Sequence, residues 1–201
     1  AENLVLPAMA TSALISLPHR LALELGPRRS AATTVHPDTI DIAIHLWHGT
    51  CADLYSRLTP ACSCCDAAAL RATVATAHGP LAVYVAHLGS VRVMPAKGFW
   101  TGSRDRNAEA LARAVAAEKN TRMVLLGDFN GTTDDRVFAD LTARLRSVQT
   151  AAGDGFGFTW PARFPVARID QILVRGVQPR SAWLLPPTSS DHLPVAARIS
   201  W

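Results

Sequence analysis

Four short apolar runs in this 201-residue chain each carry an acid or an imidazole at one end. They are Val83-Tyr84-Val85-Ala86-His87, Leu125-Leu126-Gly127-Asp128, Asp170-Gln171-Ile172-Leu173 and Asp191-His192-Leu193-Pro194-Val195. A run of four to eight apolar residues bounded by polar ones reads as a buried strand. A polar group at the end of such a strand is held rigidly and reaches a sheet edge, where binding groups commonly lie. The chain must therefore fold so that several buried strands deliver polar ends to solvent.

The remaining sequence fills in around that demand. Hydrophobic residues make up 49% and charged ones 18%, enough to bury a core and too apolar for global disorder. No repeat or low-complexity linker divides the sequence, so residues 1–201 read as one domain. Breaks at Pro7 and Pro18 predict a helix over about residues 8–16, then an extended piece around His19–Leu25. Residues 26–39 read as loop and Ile40–Trp47 as a strand. Leu70–Ala77 and Leu81–His87, joined by His78-Gly79-Pro80, predict a hairpin. A helix is expected from Arg104 to Lys119, capped by Ser103, with Ala108, Leu111, Ala112 and Val115 at helical spacing. Arg122–Phe129 reads as a buried strand. Thr133, Asp134 and Asp135 are expected to cap a helix to about Arg146, and Arg168–Val174 and Pro194–Ile199 are two more strands. So little helix between strands argues against a doubly wound parallel sheet and for mixed sheets with flanking helices.

Charge and cysteines constrain function less. Twenty basic residues against sixteen acidic ones give +4, and all the basic ones except Lys97 and Lys119 are arginine. No run of five or six basic residues occurs, so a polyanionic partner is allowed, not indicated. Cys51, Cys62, Cys64 and Cys65 crowd one stretch in a CxCC pattern that does not match zinc-site spacing, His45 and His48 nearby notwithstanding. Free or disulfide-paired thiols in a loop are the simpler reading. No apolar run approaches the ~20 residues of a spanning helix, and Ala1-Glu2-Asn3-Leu4 does not open a signal peptide.

Each polar strand end has a plain explanation. Asp128 can form a turn after Gly127, His87 can be a satisfied core histidine, Asp170 can pair with Arg168 or Arg163, and Asp191 can cap a turn before Pro194. Together they suggest chemistry. Asp191 beside His192 offers one group for a metal and one for a phosphate. Asp128 and Asn130 alternate, so an acceptor-only carboxylate and a donating amide can share one side. Asp170 can orient a histidine, fix its tautomer and favour the imidazolium. Hard oxygen donors without a cysteine cluster favour Mg²⁺ or Mn²⁺.

The ordered set LLGDFN, RIDQIL and SSDHLPV, with VAHL upstream, resembles the endonuclease/exonuclease/phosphatase superfamily over roughly residues 70–201. The resemblance implies a four-layer α/β sandwich, two packed mixed β-sheets flanked by helices. It implies hydrolysis of a phosphodiester or phosphomonoester by in-line attack of water with a divalent ion, nuclease and phosphatase both remaining open. His192 would activate the water or contact the scissile phosphate, with Asp191 a metal ligand or its neighbour. Asp128 would position or deprotonate the water and Asn130 hold a phosphate oxygen. His87 would stabilise the pentavalent phosphate or protonate the leaving group, with Asp170 supporting that histidine.

The sequence also departs from the superfamily. Relatives open with a strand bearing an asparagine and a Leu-Gln-Glu segment whose glutamate binds metal. Here Glu2, Glu24, Glu109 and Glu118 are the only glutamates, and none has that context. The chain is expected to be N-terminally shortened or divergent there, and a non-catalytic phosphate- or lipid-headgroup-binding module is the alternative. Tyr55-Ser56-Arg57-Leu58 only faintly echoes a Ser-Arg-Tyr-Pro-like turn. HLGSVRV, RDRNAEAL and GFGFTWPARFPVARIDQIL resemble a membrane-anchored bacterial branch associated with glycopeptide resistance. That implies an extracytoplasmic, membrane-associated location and a lipid-linked phosphate rather than a nucleic acid, with Phe156, Phe158 and Trp160 either lining the lip of the site or packing within a long loop. A monomer without an obligate protein partner is expected.

Overall fold

Side chains along Leu81–Ala86 alternate between two cores, and this alternation sets the architecture. In the computed structural model, which describes residues 19–26, 39–48, 68–95 and 98–201, Leu81, Val83 and Val85 enter one apolar cluster. Ala82, Tyr84 and Ala86 enter another. A strand buried on both faces must lie inside a sheet covered on both sides.

In chain order the elements are β1 (His19–Gly26), β2 (Thr39–His48), β3 (Ala68–Thr76), β4 (Gly79–His87), β5 (Arg92–Met94) and β6 (Gly98–Trp100). Helix α1 (Gly102–Ala117) and β7 (Met123–Asp128) follow. Then come a 3₁₀ turn (Arg136–Phe138), α2 (Ala139–Thr142), β8 (Arg146–Ser147) and α3 (Val148–Ala152). The chain closes with β9 (Asp170–Arg175), β10 (Gln178–Leu184) and β11 (Val195–Ser200).

A five-stranded sheet has the order β3-β4-β7-β9-β8, and a four-stranded one β1-β2-β11-β10. In the first, β4 and β7 run parallel and the other pairs antiparallel. The two sheets pack through Val83, Val85, Val124, Leu126, Ile172 and Val174 on one side and Ala182, Val195, Ala197 and Ile199 on the other. The opposite face of the five-stranded sheet is covered by α1 through Ala108, Leu111, Ala112 and Val115, and by Phe138, Leu141 and Leu145. Each fully buried Leu or Val here contributes roughly 1.5–3 kcal/mol relative to exposure. The chain thus has an α/β fold of two packed sheets with helices outside. The expected helix over residues 8–16, the loop at 27–38 and the cysteine-bearing stretch lie outside the described residues.

Several local expectations are corrected. The second sheet is antiparallel throughout its described strands, not mixed, because β10 and β11 form a hairpin and β2 runs antiparallel to both its neighbours. Thr101, not Ser103, is the N-cap of α1, its hydroxyl bonded to the Asp105 carboxylate at 2.6 Å. Ser103 is buried inside the helix. Helix α1 stops at Ala117, leaving Lys119 beyond its end, because Glu118 turns extended and its carboxylate accepts from Arg71 and Tyr84. The helix expected to reach Arg146 is broken into the 3₁₀ turn and α2, since the Asp135 carboxylate is drawn to Arg104 and Arg146 pairs with Val174 in the sheet. Strand β10 lacks an apolar run; its pairing shifts register between Pro179 and Ser181, as a proline without an N–H requires.

Candidate active site

Three of the expected site residues form one lateral row. His87 ends β4 and pairs with Asp128, which ends β7, and Asp128 pairs with Asp170, which begins β9. Because β4 and β7 are parallel and β9 is antiparallel to both, all three polar ends reach the same edge. Gly127 permits the approach. Its φ is 149°, and a Cβ there would lie 1.7 Å from the Ala86 carbonyl oxygen, so only glycine fits beside β4.

Past the strand end, Asn130 turns back on Asp128. Its φ of 49° lies in the left-handed region that asparagine tolerates. Its backbone N–H donates to Asp128 Oδ1 at 2.7 Å, and its Nδ2 donates to Leu88 O at 2.8 Å and Asp128 Oδ2 at 3.2 Å. Arg104 Nη1 donates to the Asn130 carbonyl at 3.1 Å and to Asp135 Oδ2 at 3.0 Å. With both Nδ2 protons engaged, Asn130 holds Asp128; holding a phosphate oxygen would require one of these bonds to be exchanged.

The second sheet delivers the remaining histidine. His192 precedes β11 in a turn fixed by its N–H donating to Ser190 Oγ and by the Ser190 N–H donating to Thr188 Oγ1. His192 Nδ1 meets Asp170 Oδ2 at 2.8 Å. Asp170 therefore stands against His192, not against His87, the histidine to which the resemblance matched it. Arg168 is committed elsewhere, donating to Phe156 O and Thr150 Oγ1. His87 Nε2 lies 3.6 Å from Asp128 Oδ2. Asp191 is exposed, and its carbonyl accepts from the Ala162 N–H.

Thr159, which sequence reasoning did not single out, joins these parts. It is fully buried, its carbonyl accepts from Leu193 N–H at 2.7 Å and its hydroxyl accepts from Asp170 N–H at 3.4 Å. Its one sequence signal is a lone polar residue between Phe158 and Trp160.

The electrostatics follow from burial and crowding. Asp128 and Asp170 are 4% and 3% exposed and face each other directly across two strands. Burial first, and the Asp170 charge second, push the Asp128 carboxyl up to about 7 against the opposing pull of His192 and the Asn130 N–H. For His192, burial works to lower the pKa. The hydrogen bond that the ring donates to Asp170 and the charges of Asp170, Asp128 and Asp191 outweigh it, so the imidazole is raised above its ordinary value.

A cation would relieve this crowding. Among the described residues, Asp128, Asp170 and His192 each bring one ligand atom within 4.8 Å of the others. Asp170 Oδ1 is buried with no hydrogen-bond partner, an acceptor left over by the protein's own bonds. Two carboxylates, one of them with a spare oxygen, fit a hard divalent cation. Asp191 is not in this triplet and reaches it through its charge.

No curated protein matches the sequence. Among solved structures, a functionally unknown conserved protein from Enterococcus faecalis is similar at 15% identity and a TM-score of 0.50, covering 83% of this chain and 60% of that one. The catalytic domain of Xenopus laevis APE2 is similar at 16% identity and a TM-score of 0.50, covering 67% of this chain and 55% of that one. At such identities the likeness is one of fold, and this chain spans less than two thirds of either protein's length. The sequence itself matches the model of one family over residues 26–192, a span that holds the whole row His87, Asp128, Asp170 and the loop to His192. The chain belongs to the Endonuclease/Exonuclease/phosphatase family.

Proposed function

We propose that this protein is a divalent-metal-dependent phosphoesterase that hydrolyses a phosphodiester or phosphomonoester by in-line attack of water. The observation that carries the reading is the meeting of Asp170 and His192 at 2.8 Å beside the buried Asp128. Asp170 Oδ1 and an Asp128 oxygen would hold the ion, which when bound supplies charge neutralisation at the phosphoryl oxygens and a more acidic water.

The protein's own residues do the rest. Asp170 accepts from His192 Nδ1–H, fixing the tautomer that leaves Nε2 basic. His192 Nε2 takes the proton of the attacking water, and the raised imidazole pKa strengthens it as a base. Asp128, clamped by Asn130, orients that water. His87, next in the row, places an imidazole where the leaving oxygen can take a proton. Rigid strand ends hold these groups in place before substrate arrives.

Hydrolysis of bis-p-nitrophenyl phosphate and of p-nitrophenyl phosphate, each with and without Mg²⁺, tests the reading. Mg²⁺-dependent turnover of either ester that His192→Ala removes is the expected result. A rate unchanged by His192→Ala would sink the assignment.

A further inference from the structure

Asp170 and His192 meet across two sheets that share no strand pairing among the described residues. The apolar packing between those sheets, through Ile172 and Val195 among others, is non-directional. It brings the start of β9 near the turn before β11 without fixing the last few tenths of an ångström that a hydrogen bond requires.

Thr159 provides direction. Its carbonyl accepts from the Leu193 N–H at 2.7 Å, one residue past His192, and its hydroxyl oxygen accepts from the Asp170 N–H at 3.4 Å. One residue therefore grips both sides of the contact. It is gripped in turn: the Thr159 N–H donates to the Ala167 carbonyl at 2.8 Å, and Trp160 and Ala167 exchange both backbone bonds at 3.0 Å. The loop closed by those bonds also ties the residue before His192, since the Ala162 N–H donates to Asp191 O at 2.7 Å.

Space-filling does not call for a hydroxyl here. Thr159 is fully buried, and valine has nearly the same shape without a polar group to desolvate. The hydroxyl has its use at Asp170. Strand β8 pairs only with Leu173 and Val174 and stops short of Asp170, so the Thr159 oxygen, not the sheet edge, receives that buried N–H. A buried N–H left without an acceptor is strongly disfavoured. Without the oxygen, the backbone at Asp170 must turn toward another partner, and its Oδ2 moves with it. The 2.8 Å bond to His192 Nδ1 has little slack for such a movement.

We infer that Thr159 is a positioning residue, whose hydroxyl and carbonyl together set the contact between Asp170 and His192 from outside the reach of substrate. Its effect on turnover rests on the phosphoesterase reading; its effect on the geometry of the pair does not.

Thr159→Val, Thr159→Ser and His192→Ala in the 201-residue chain test it through two readouts. The first is Mg²⁺-dependent hydrolysis of bis-p-nitrophenyl phosphate. T159V should lower kcat about tenfold with KM little changed, and T159S, which keeps the oxygen, should recover most of the loss. The second is the low-field proton resonance of His192 Nδ1–H, identified by its absence in H192A, which reports the bond to Asp170 with no substrate present. It should stand in the parent and in T159S, and move upfield or broaden in T159V; T159A takes the place of T159V if the valine variant does not fold. A parent without the resonance, a T159V that keeps the parent's resonance or kcat, or an effect confined to KM would each overturn the inference. So would a T159S that falls as far as T159V, because the methyl group rather than the oxygen would then matter. The expected resonances without turnover of any ester would leave the positioning standing and remove the phosphoesterase reading.

Discussion

His192 and Asp170 belong to different sheets, and their 2.8 Å contact is a polar clasp across the apolar interface between them. Asp170 opens β9 of the five-stranded sheet, while His192 lies just ahead of β11 of the other. Packing of one sheet on the other through Ile172 and Val195, among others, therefore sets the geometry of the pair.

If the two act as a unit, their losses will not add. His192→Ala should lower kcat for diester hydrolysis by about 10²–10⁴-fold. Asp170→Asn should cost a large part of that, and the double variant no more than a few-fold beyond His192→Ala alone. Steady-state kinetics of the four proteins decides it; additive losses would show that Asp170 acts through the ion rather than through His192.

Asp128 costs the fold stability when it ionises. Its folded pKa of about 7 lies above the ordinary carboxyl value of 3.8, so the fold favours the protonated form. Below about pH 4 the group is neutral in both states; between about pH 4 and 7 only the unfolded chain ionises, so stability falls as pH rises and the loss is complete above 7. Asp128→Asn should therefore stabilise the metal-free protein by ~1–3 kcal/mol at pH 8, change little at pH 4, and abolish activity. Thermal melts in a chelator at the two pH values check the sign.

A bound cation should reverse that penalty. Saturating Mg²⁺ or Mn²⁺ at about 100 times its Kd should add ~2.7 kcal/mol to stability, visible as a higher Tm. The shift should vanish in Asp170→Asn, which loses the buried unpartnered oxygen as a charged donor. A shift that persists in that variant would place the ion elsewhere.

On the proposed mechanism Arg104 acts by positioning Asn130. Its guanidinium, 11% exposed and stacked over Phe138 at 5.7 Å, anchors the Asn130 carbonyl. Arg104→Ala should lower kcat about tenfold by loosening Asn130 and Asp128, with KM little changed. Arg104→Lys, which can still donate one bond, should recover part of the loss. A change in KM alone would argue against this role.

Acid unfolding should report on a second cluster. The Arg71 guanidinium foremost, then the Asn120 N–H, hold the Glu118 carboxyl down at about 2, from an ordinary 4.5. Stability from this depressed group is present above pH 4.5 and is lost as pH falls toward 2. Glu118→Gln should lower stability at pH 7 and flatten the slope of stability between those values, measured by urea unfolding across pH.

The strand ends were legible because an apolar run that stops at Asp128 or His87 needs only local information. Cap selection was not. Thr101 and Ser103 are both competent caps, and the choice is made by a non-local fit: Ser103 packs so close to Gly89 that a Cβ there would sit 2.8 Å from its Oγ. The helix expected after Asp135 failed for a similar reason, since Arg104, 31 residues away, claims the carboxylate. Strand β10 was invisible because it alternates polar and half-buried residues at a sheet edge. The candidate site residues could be picked out one by one, but which histidine Asp170 faces depends on sheet packing that no single segment encodes.

The lateral row His87, Asp128, Asp170 makes turnover a faithful reporter of assembly. Its members come from distant stretches of chain and become neighbours only when β4, β7 and β9 have paired. On the proposed mechanism a ribosome-bound or misassembled chain lacking any one of those pairings would be inert, so hydrolysis would begin only once all three strands are in place.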